Sequence, residues 1–284
     1  PAQLLRLIAS EGVTFSHCVP TILQMLLTDP TSAATKLSGW KVVIGGSALP
    51  AGLARSAAAR GIDVFGGYGM SETCPMLSVA QLQPGLGEPG SDEETHFRCK
   101  AGIPIPLVSV RIVDDELRDV TGEGEVVVRA PWLTQGYTRQ PDASRELWRG
   151  GWLHTQDIGF LEQGYLKVTD RLKDVIKTGG EWVSSLTLED LISRHDAVAE
   201  VAVIGVPDDK WGERPVALVV PRAGIGAGID EAEIKRFVGS FAEAGTISRY
   251  AVPSRVLMVE AIARTSVGKF DKKLLRQQFV GVSA

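Results

Sequence analysis

The sequence predicts an α/β fold followed by a smaller α+β region, and two observations support this prediction. The segment KVVIGGSALPAGLARSAAARG (residues 41–61) combines a β-branched strand, a glycine turn and an alanine-rich helix, the layout of a βα unit in a mostly parallel sheet. From residue 103 onward, apolar and polar residues alternate around short turns, as in antiparallel strands. The hydrophobic fraction of 44% and the charged fraction of 23% are typical of a folded globular chain.

Periodicity, proline and glycine define the first elements. Apolar residues between positions 4 and 8 recur at helical spacing, and Gly12 is placed to end that helix. The segment FSHCVPTILQMLL predicts a short strand and a helix that Pro20 opens. The strand IDVFGGYG runs into the octapeptide GGYGMSET (66–73). We therefore expect this octapeptide where the carboxyl end of a strand meets a loop, a usual ligand position in open α/β sheets.

The second half predicts two hairpins and then a mixed region. The hairpins are VSVRIVDDELRDVTGEGEVVVRA and DIGFLEQGYLKVTDR, the latter turning at Gln163–Gly164. Further along, the pattern predicts a helix near 188–193, the strands EVAVIGV and PVALVV, a helix from about Glu231 to Phe241, and the final helix KKLLRQQF. We place the domain boundary at Asp170–Lys173, which gives a large domain over residues 1–170 and a small one over 171–284.

Charge and cysteine content narrow the classes of function. A net charge of −4 gives no electrostatic reason to expect nucleic acid or an anionic membrane as a partner. Three widely spaced cysteines disfavour a disulfide framework or a zinc cluster, and they favour a reduced, cytoplasmic compartment. No apolar run approaches the roughly 18 residues of a transmembrane helix. The first residues lack both an initiator methionine and a signal-peptide layout, so we expect a sequence cut from a longer one.

Four segments carry the candidate chemistry, and each alone has an ordinary structural explanation. In isolation Tyr68 reads as a core or turn aromatic, Asp157 as a turn cap, and Lys173 as part of a solvated charge run. Lys269 reads as a surface lysine beside a helix start. The four segments are GGYGMSET (66–73), GWLHTQDIG (151–159), DRLKDVIKTGGEWV (170–183) and RTSVGKFDKKLLR (264–276).

In this order the four segments resemble the acyl-adenylate-forming, or AMP-binding, superfamily, which includes acyl- and aryl-CoA synthetases and firefly luciferase. Further matches are GGSALP, AGIPIPLVSVRIVD and GEGEVVVRAPWLTQGYTRQPDAS, so the resemblance covers nearly the whole chain. It implies an incomplete large AMP-binding domain with a mixed β-sheet, helices and an antiparallel β region, followed by a small mobile α+β lid domain. The Ser/Thr/Gly-rich phosphate loop that ends in lysine in this family has no counterpart in the sequence, and inactivity of the chain by itself is an open alternative.

The resemblance implies a reaction in two halves. A carboxylic acid attacks the α-phosphate of ATP and releases pyrophosphate, and the thiol of coenzyme A then displaces AMP from the acyl-adenylate. By resemblance Tyr68 stacks on adenine, Glu72 holds Mg²⁺, and the hydroxyl of Ser71, which replaces the more usual threonine, lies near the α-phosphate. The resemblance also assigns nucleotide contacts to the glycines beside Tyr68 and to the GGSALP segment, namely Gly67, Gly69, Gly46 and Ser47.

The remaining implied roles lie further along the chain. Asp157 would accept hydrogen bonds from both ribose hydroxyls, a task that suits the two acceptor oxygens of a carboxylate. Arg171 would join it at the ribose or phosphate edge. Lys269 matches the lysine that bridges the substrate carboxylate and the α-phosphate, and its compact charge on a flexible stem suits a group that enters and leaves a site.

Three further positions relate to the second half-reaction. Lys173 matches the hinge about which the small domain rotates. Gly179 and Gly180 would then let the pantetheine of coenzyme A pass close to the main chain. His17 matches an aromatic or histidine position near the acyl and thiol channel, and its two open interpretations are a gate and a core histidine.

The preferred reading is an ATP-dependent acid–CoA ligase for a medium- or long-chain fatty acid, based on GGYGMSETCPMLSVAQL and the loop after it. An aryl- or short-chain acyl-CoA ligase is the first alternative, and a non-catalytic nucleotide-binding fragment is the second. A Rossmann dehydrogenase is disfavoured because GGYG lacks the spaced glycines and the downstream acid of a dinucleotide site. The expected partners are a small carboxylic acid and coenzyme A, and a homodimer is a candidate assembly.

Overall fold

The structure is a computed structural model that describes residues 1–224, 226, 228–265 and 270–279. The chain divides into two compact units, Pro1–Val168 and Thr169–Ala284, and the boundary falls inside a strand. The assignment of these parts to a nucleotide-binding domain and a lid domain stays a prediction.

Helices and strands alternate at the start of the first unit. In chain order they are α1 (Ala2–Ser10), β1 (Phe15–Cys18), α2 (Pro20–Thr28), β2 (Lys41–Ile44), α3 (Ala51–Ala58), β3 (Asp63–Gly69), β4 (Met76–Val79), α4 (Asp92–Arg98) and β5 (Ile103–Pro104). The five strands form one sheet in the order β1-β2-β3-β4-β5. The strands β1, β2 and β3 are parallel, whereas β4 and β5 are antiparallel to their neighbours. The βα reading is confirmed, and the sheet is mixed because the chain reverses after β3.

Local chemistry explains these boundaries. Pro20 occupies the first turn of α2, where its missing N–H costs no helical hydrogen bond. The turn after α3 contains Gly61 at φ +71°, a conformation that glycine adopts without strain. The apolar faces of the helices pack on the sheet in a buried cluster that includes Leu5, Leu23 and Val64. This packing places the carboxyl ends of β2 and β3 at one edge of the sheet.

A second sheet completes the first unit. Its elements are β6 (Ser109–Val113), β7 (Gly124–Arg129), the helix α5 (Pro141–Leu147), β8 (Leu153–Glu162) and β9 (Tyr165–Arg171). The strands lie in the order β6-β7-β8-β9. Gln163 and Gly164 form the two-residue turn between β8 and β9 with φ values of +50° and +82°, a pattern that suits the twist of a hairpin. The predicted antiparallel region is confirmed.

The second unit is α+β, as predicted. Its elements are β10 (Ile176–Thr178), β11 (Glu181–Val183), α6 (Ser185–Ser193), β12 (Val198–Asp208), β13 (Gly212–Pro221), α7 (Glu231–Glu243), β14 (Arg255–Met258) and α8 (Lys272–Phe279). The sheet order is β11-β10-β13-β12, with β14 parallel beside β13. Side chains cap two of the helices, because Ser184 accepts from the N–H of Thr187 and Asp230 accepts from that of Glu233.

Across the part of the chain that the structure describes, no helix is both long enough and apolar enough to cross a bilayer. Cys18, Cys74 and Cys99 are free thiols.

Candidate active site

Tyr68 and Asp157 form the centre of the candidate site. Tyr68 lies near the carboxyl end of β3, and Asp157 lies 89 positions later in β8. The Tyr68 hydroxyl donates a hydrogen bond of 2.6 Å to Oδ2 of Asp157. Asp157 is 8% exposed, and the Tyr68 ring is partly buried against the core of the second sheet. The fold therefore joins the predicted adenine-stacking residue and the predicted ribose-binding residue within one unit.

The glycines beside Tyr68 are required by the protein's own packing. A Cβ at Gly69 would lie 1.7 Å from the carbonyl oxygen of Pro75, and a Cβ at Gly67 would lie 2.6 Å from Cγ1 of Val43. A side chain at Gly69 would displace the backbone at Pro75, and one at Gly67 would displace the Val43 side chain. The absence of side chains thus serves the sheet around Tyr68, while their predicted contact with a base stays a prediction.

Gly46 and Ser47 follow the end of β2 and are exposed. Because β2 and β3 are parallel neighbours, this turn lies at the same edge of the sheet as the loop after Tyr68. Gly46 has φ +78°, which favours glycine at this turn. These two predicted nucleotide contacts are therefore near the candidate site in the fold.

Ser71 and Glu72 lie in a single 3₁₀ turn, Ser71–Thr73, directly after β3. Ser71 is exposed, and Glu72 is half-buried. The Tyr137 hydroxyl donates a hydrogen bond of 2.7 Å to Oε1 of Glu72, and the Thr134 N–H donates to its carbonyl oxygen at 2.9 Å. The hydrogen bond to the carboxylate, with a smaller contribution from burial, raises the pKa of Tyr137 to about 12. Sequence reasoning quoted the segment around Tyr137 as a family match but assigned no role to that residue.

Glu72 is the predicted Mg²⁺ ligand, and its chemistry fits that ion. Mg²⁺ prefers oxygen ligands and commonly binds proteins through one or two carboxylates together with substrate phosphates. The described residues contain no group of three or more His, Cys, Asp or Glu side chains that could hold a metal ion. Glu72 would hold such an ion as a single carboxylate, and this assignment stays a prediction.

An irregular stretch of β8 presents Asp157. Glu125 of β7 pairs with Ile158 of β8, but Val127 already pairs with His154. Between these pairs β7 advances by two residues and β8 by four, so β8 bulges over residues 155–157. Sequence alternation predicted the strand, but it did not reveal this bulge.

The other predicted residues occupy separate parts of the fold. Arg171 ends β9 and is exposed, as is Lys173 in the turn that follows. Gly179 and Gly180 form the exposed turn between β10 and β11, with φ values of +60° and +83°. The roles of these four residues stay predictions. Lys269 lies outside the described residues.

His17 lies in β1, opposite Val43 in the register of the sheet. Its side chain is exposed, which argues against the alternative of a core histidine. Nε2 of His17 lies 2.7 Å from the position that a Cβ at Gly45 would take, so the ring packs directly over that glycine. The gating role stays a prediction.

The AMP-binding enzyme family matches residues 1–138, and the C-terminal domain of AMP-binding enzymes matches residues 187–269. A long-chain-fatty-acid–CoA ligase of Thermus thermophilus is 38% identical over 98% of this chain and 52% of its own length. A 3-methylmercaptopropionyl-CoA ligase of Ruegeria lacuscaerulensis is 37% identical over 97% of this chain and 51% of its own. The chain thus spans about half the length of these curated relatives.

A solved structure of a related protein shares the fold of this chain. ATP-bound MatB from Rhodopseudomonas palustris superposes with a TM-score of 0.80 at 29% identity, over 100% of this chain and 54% of MatB. Two family matches in the expected order, relatives above 35% identity and a shared fold agree with one another. The chain therefore belongs to the AMP-binding, adenylate-forming family of enzymes.

Proposed function

We propose that the protein containing this chain is an AMP-forming acid–CoA ligase. The observation that carries the proposal is the 2.6 Å hydrogen bond between Tyr68 and Asp157, because it unites the two residues predicted to hold the adenosine of ATP. The matched relatives are CoA ligases, and the matched MatB structure contains ATP.

In this proposal the first unit grips the nucleoside. The Tyr68 ring stacks on adenine, since aromatic faces bind flat bases well. Asp157 accepts hydrogen bonds from the ribose hydroxyls. A carboxylate offers about four acceptor positions, which suits a side chain that accepts both from Tyr68 and from the ribose. Arg171 adds a donor at the ribose or phosphate edge.

Charge on the phosphates requires cations and donors. Positioning and electrostatic stabilisation supply most of the catalysis when a phosphoryl centre reacts. Glu72 would hold Mg²⁺, which when bound neutralises phosphate charge. The Ser71 hydroxyl donates near the α-phosphate, and Lys269 bridges that phosphate and the attacking carboxylate.

In the second half-reaction, residues of the second unit act on coenzyme A and on the rotation of the small domain. Lys173 provides the hinge torsions for a rotation of the small domain. The Gly179–Gly180 turn then lets pantetheine lie close to the main chain, because neither residue carries a Cβ. The thiol of coenzyme A attacks the acyl carbonyl, and AMP leaves.

The substrate is proposed to be a medium- or long-chain fatty acid. Similarity to the Thermus long-chain ligase supports this choice, whereas the Ruegeria ligase is named for a short sulfur-containing acid. A ligase for an aryl or short-chain acid is therefore the closest alternative. Nucleotide binding without catalysis is a second candidate, because the sequence shows no counterpart of the Ser/Thr/Gly-rich phosphate loop that ends in lysine.

ATP–pyrophosphate exchange tests these candidates directly. The assay uses the protein that carries this chain, Mg²⁺, and a panel of fatty, aromatic and short-chain acids. Exchange that depends on a medium- or long-chain fatty acid is the expected result. Dependence on an aromatic or short-chain acid would favour the first alternative. Binding of AMP without exchange for any acid would favour the second.

Two substitutions separate the half-reactions. Lys269→Ala is expected to impair adenylate formation far more than thioester formation from a supplied acyl-adenylate, and equal losses would refute the bridging role. Lys173→Pro is expected to do the reverse, because proline fixes a hinge torsion. Unchanged thioester formation would contradict the hinge assignment. The cytoplasmic location and the homodimer stay predictions from sequence.

A further inference from the structure

The bulge in β8 contains an unusual backbone conformation. Among non-glycine residues with positive φ in the described ranges, only Gln156, at φ +58°, lies inside a strand. A left-handed conformation is uncommon for a residue with a Cβ, and it persists only where surrounding contacts hold it. Gln156 directly precedes Asp157, so whatever holds this residue also sets the direction of the Asp157 carboxylate.

Two buried side chains replace the ladder partners that the bulge removes. Oε1 of Glu125 accepts from the N–H of Gln156 at 3.1 Å. The Thr155 hydroxyl accepts from the N–H of Asp157 at 3.1 Å and donates to the carbonyl oxygen of Val126 at 2.7 Å. Glu125 and Thr155 are 7% and 4% exposed, so water cannot readily take over these contacts.

A histidine fixes the carboxylate in turn. Nδ1 of His154 lies 2.8 Å from Oε2 of Glu125, and Nε2 lies 3.1 Å from the carbonyl oxygen of Arg149. Both neighbours are hydrogen-bond acceptors. His154 is 4% exposed and Glu125 7%, so the contact between them is buried and holds the Glu125 carboxylate in place.

We propose that Glu125, oriented by His154, is a positioning residue for nucleotide binding: it holds Gln156 in the left-handed conformation that directs Asp157 toward Tyr68. The inference rests on the proposed function, because it presumes that Asp157 binds the ribose. Glu125 itself touches neither the ribose nor the reacting atoms. Its effect passes through one main-chain hydrogen bond.

The exposed residue at position 156 allows a test that leaves the core intact. Gln156 points to solvent, so substitution there changes backbone preference and little packing. Gly reaches a positive φ without strain, whereas the β-branched Val at this conformation is strongly disfavoured. Gln156→Gly is expected to keep AMP affinity, and Gln156→Val is expected to weaken it.

The direct test measures the Kd of AMP by calorimetry for the protein that carries this chain and for its variants. Glu125→Ala is expected to weaken binding about tenfold, because a buried N–H loses its partner. Glu125→Gln keeps an acceptor at Oε1 and should retain most of the affinity. The double variant Glu125→Ala/Gln156→Gly should recover affinity relative to Glu125→Ala. If Glu125→Ala acted only by loosening the sheet, adding Gln156→Gly would lower the affinity further, because glycine weakens a strand.

Two controls separate the possible failures. Asp157→Asn tests the nucleotide site, and Val110→Ala perturbs the same sheet in β6 away from the bulge. If Asp157→Asn weakens AMP binding while Glu125→Ala and Gln156→Val bind like the parent, the positioning role is overturned and the nucleotide site stands. If Asp157→Asn also binds like the parent, the proposed function fails and the inference fails with it. A third result would also overturn the positioning role: Val110→Ala loses as much AMP affinity as Glu125→Ala, and adding Gln156→Gly to Glu125→Ala does not restore the affinity.

Discussion

Each unit of the molecule buries a network of charged side chains, and the two networks differ in what they join. In the first unit Glu125 of β7 contacts residues 29 and 31 positions away, both in the adjacent strand β8. In the second unit Nζ of Lys272 lies 2.7 Å from the Ser185 hydroxyl and 2.8 Å from Oε1 of Glu189. The Lys272–Ser185 contact spans 87 positions.

The second network extends to the strand where its unit begins. Oδ2 of Asp170 accepts from the N–H and hydroxyl of Ser185 at 2.5 and 2.7 Å, and Oδ1 accepts from the N–H of Arg171 at 2.7 Å. The network therefore fastens α8 and the start of α6 to the segment that precedes Lys173. Buried networks of similar composition therefore have different roles in the two units. The first network sets the direction of one side chain, and the second anchors whole elements.

The largest expected effect is on stability in the second unit. Lys272→Met removes the cation that pairs with Glu189, which is expected to cost about 3–5 kcal/mol of the free energy of unfolding. Lys273→Met is the matched control, because Lys273 lies next to it in α8 but is exposed. Urea denaturation of both variants provides the measurement. Equal small losses would show that the second network does not anchor α8.

Arg276, one helical turn further along α8, provides a second test of whether buried charges anchor this helix. Its guanidinium pairs with the Asp174 carboxylate and donates to the carbonyl oxygen of Lys173 at 3.1 Å. Arg276→Met is expected to cost about 1–3 kcal/mol, the range for hydrogen bonds to charged groups. Arg194→Met removes an exposed pair with Asp190 and should cost at most about 1 kcal/mol. A loss for Arg276→Met no larger than for the control would contradict the anchoring.

The pH dependence of stability tests the buried acid of the second network. Burial raises the pKa of Glu189 above its ordinary value of 4.5, although Lys272 acts in the opposite direction. The folded chain then holds this proton at pH values where the unfolded chain has lost it, so the contribution of Glu189 falls as pH rises past 4.5. Relative to Glu189→Gln, the parent should lose stability over the pH interval that begins at 4.5 and rises toward neutral pH. A gain over that interval would contradict the assignment.

The smallest effect concerns Glu72, an acid of the first unit that is only half-buried. The hydrogen bond that Glu72 accepts from Tyr137 raises the pKa of Tyr137 to about 12, so the phenol should ionise at a higher pH than an ordinary tyrosine. Ultraviolet titration of the parent minus Tyr137→Phe isolates this group. In Glu72→Gln the Tyr137 pKa should fall toward the ordinary value of 10. The same pKa with and without the carboxylate would exclude this hydrogen bond in solution.

Sequence predicted most elements because their ends carry local signals. Pro20 marks the start of α2, and Gln163–Gly164 marks the turn between β8 and β9. The alternation of apolar and polar residues cannot reveal that β8 slips by two residues against β7. From the sequence, Glu125 therefore looks like an ordinary strand residue. Which of the two lysines at the start of α8 is buried depends on helix phase relative to Leu275, which is 2% exposed. This phase can be read from the sequence, because Leu275 lies three positions after Lys272 and therefore on the same helix face.

The assignment of candidate site residues came from family resemblance rather than from periodicity. Contacts between Tyr68 and Asp157 depend on how two sheets pack, and no local pattern encodes that distance. The buried partners of Glu125 depend on the same packing. These long-range contacts are therefore the part of the site that required the structure.

We infer that Tyr68 and Asp157 together hold the nucleoside of ATP. The decisive experiment is a crystal structure of the protein that carries this chain with bound AMP. We expect the adenine base against the Tyr68 ring and the ribose hydroxyls within hydrogen-bond distance of the Asp157 carboxylate. Electron density for the base away from Tyr68, with the ribose out of reach of Asp157, would contradict it.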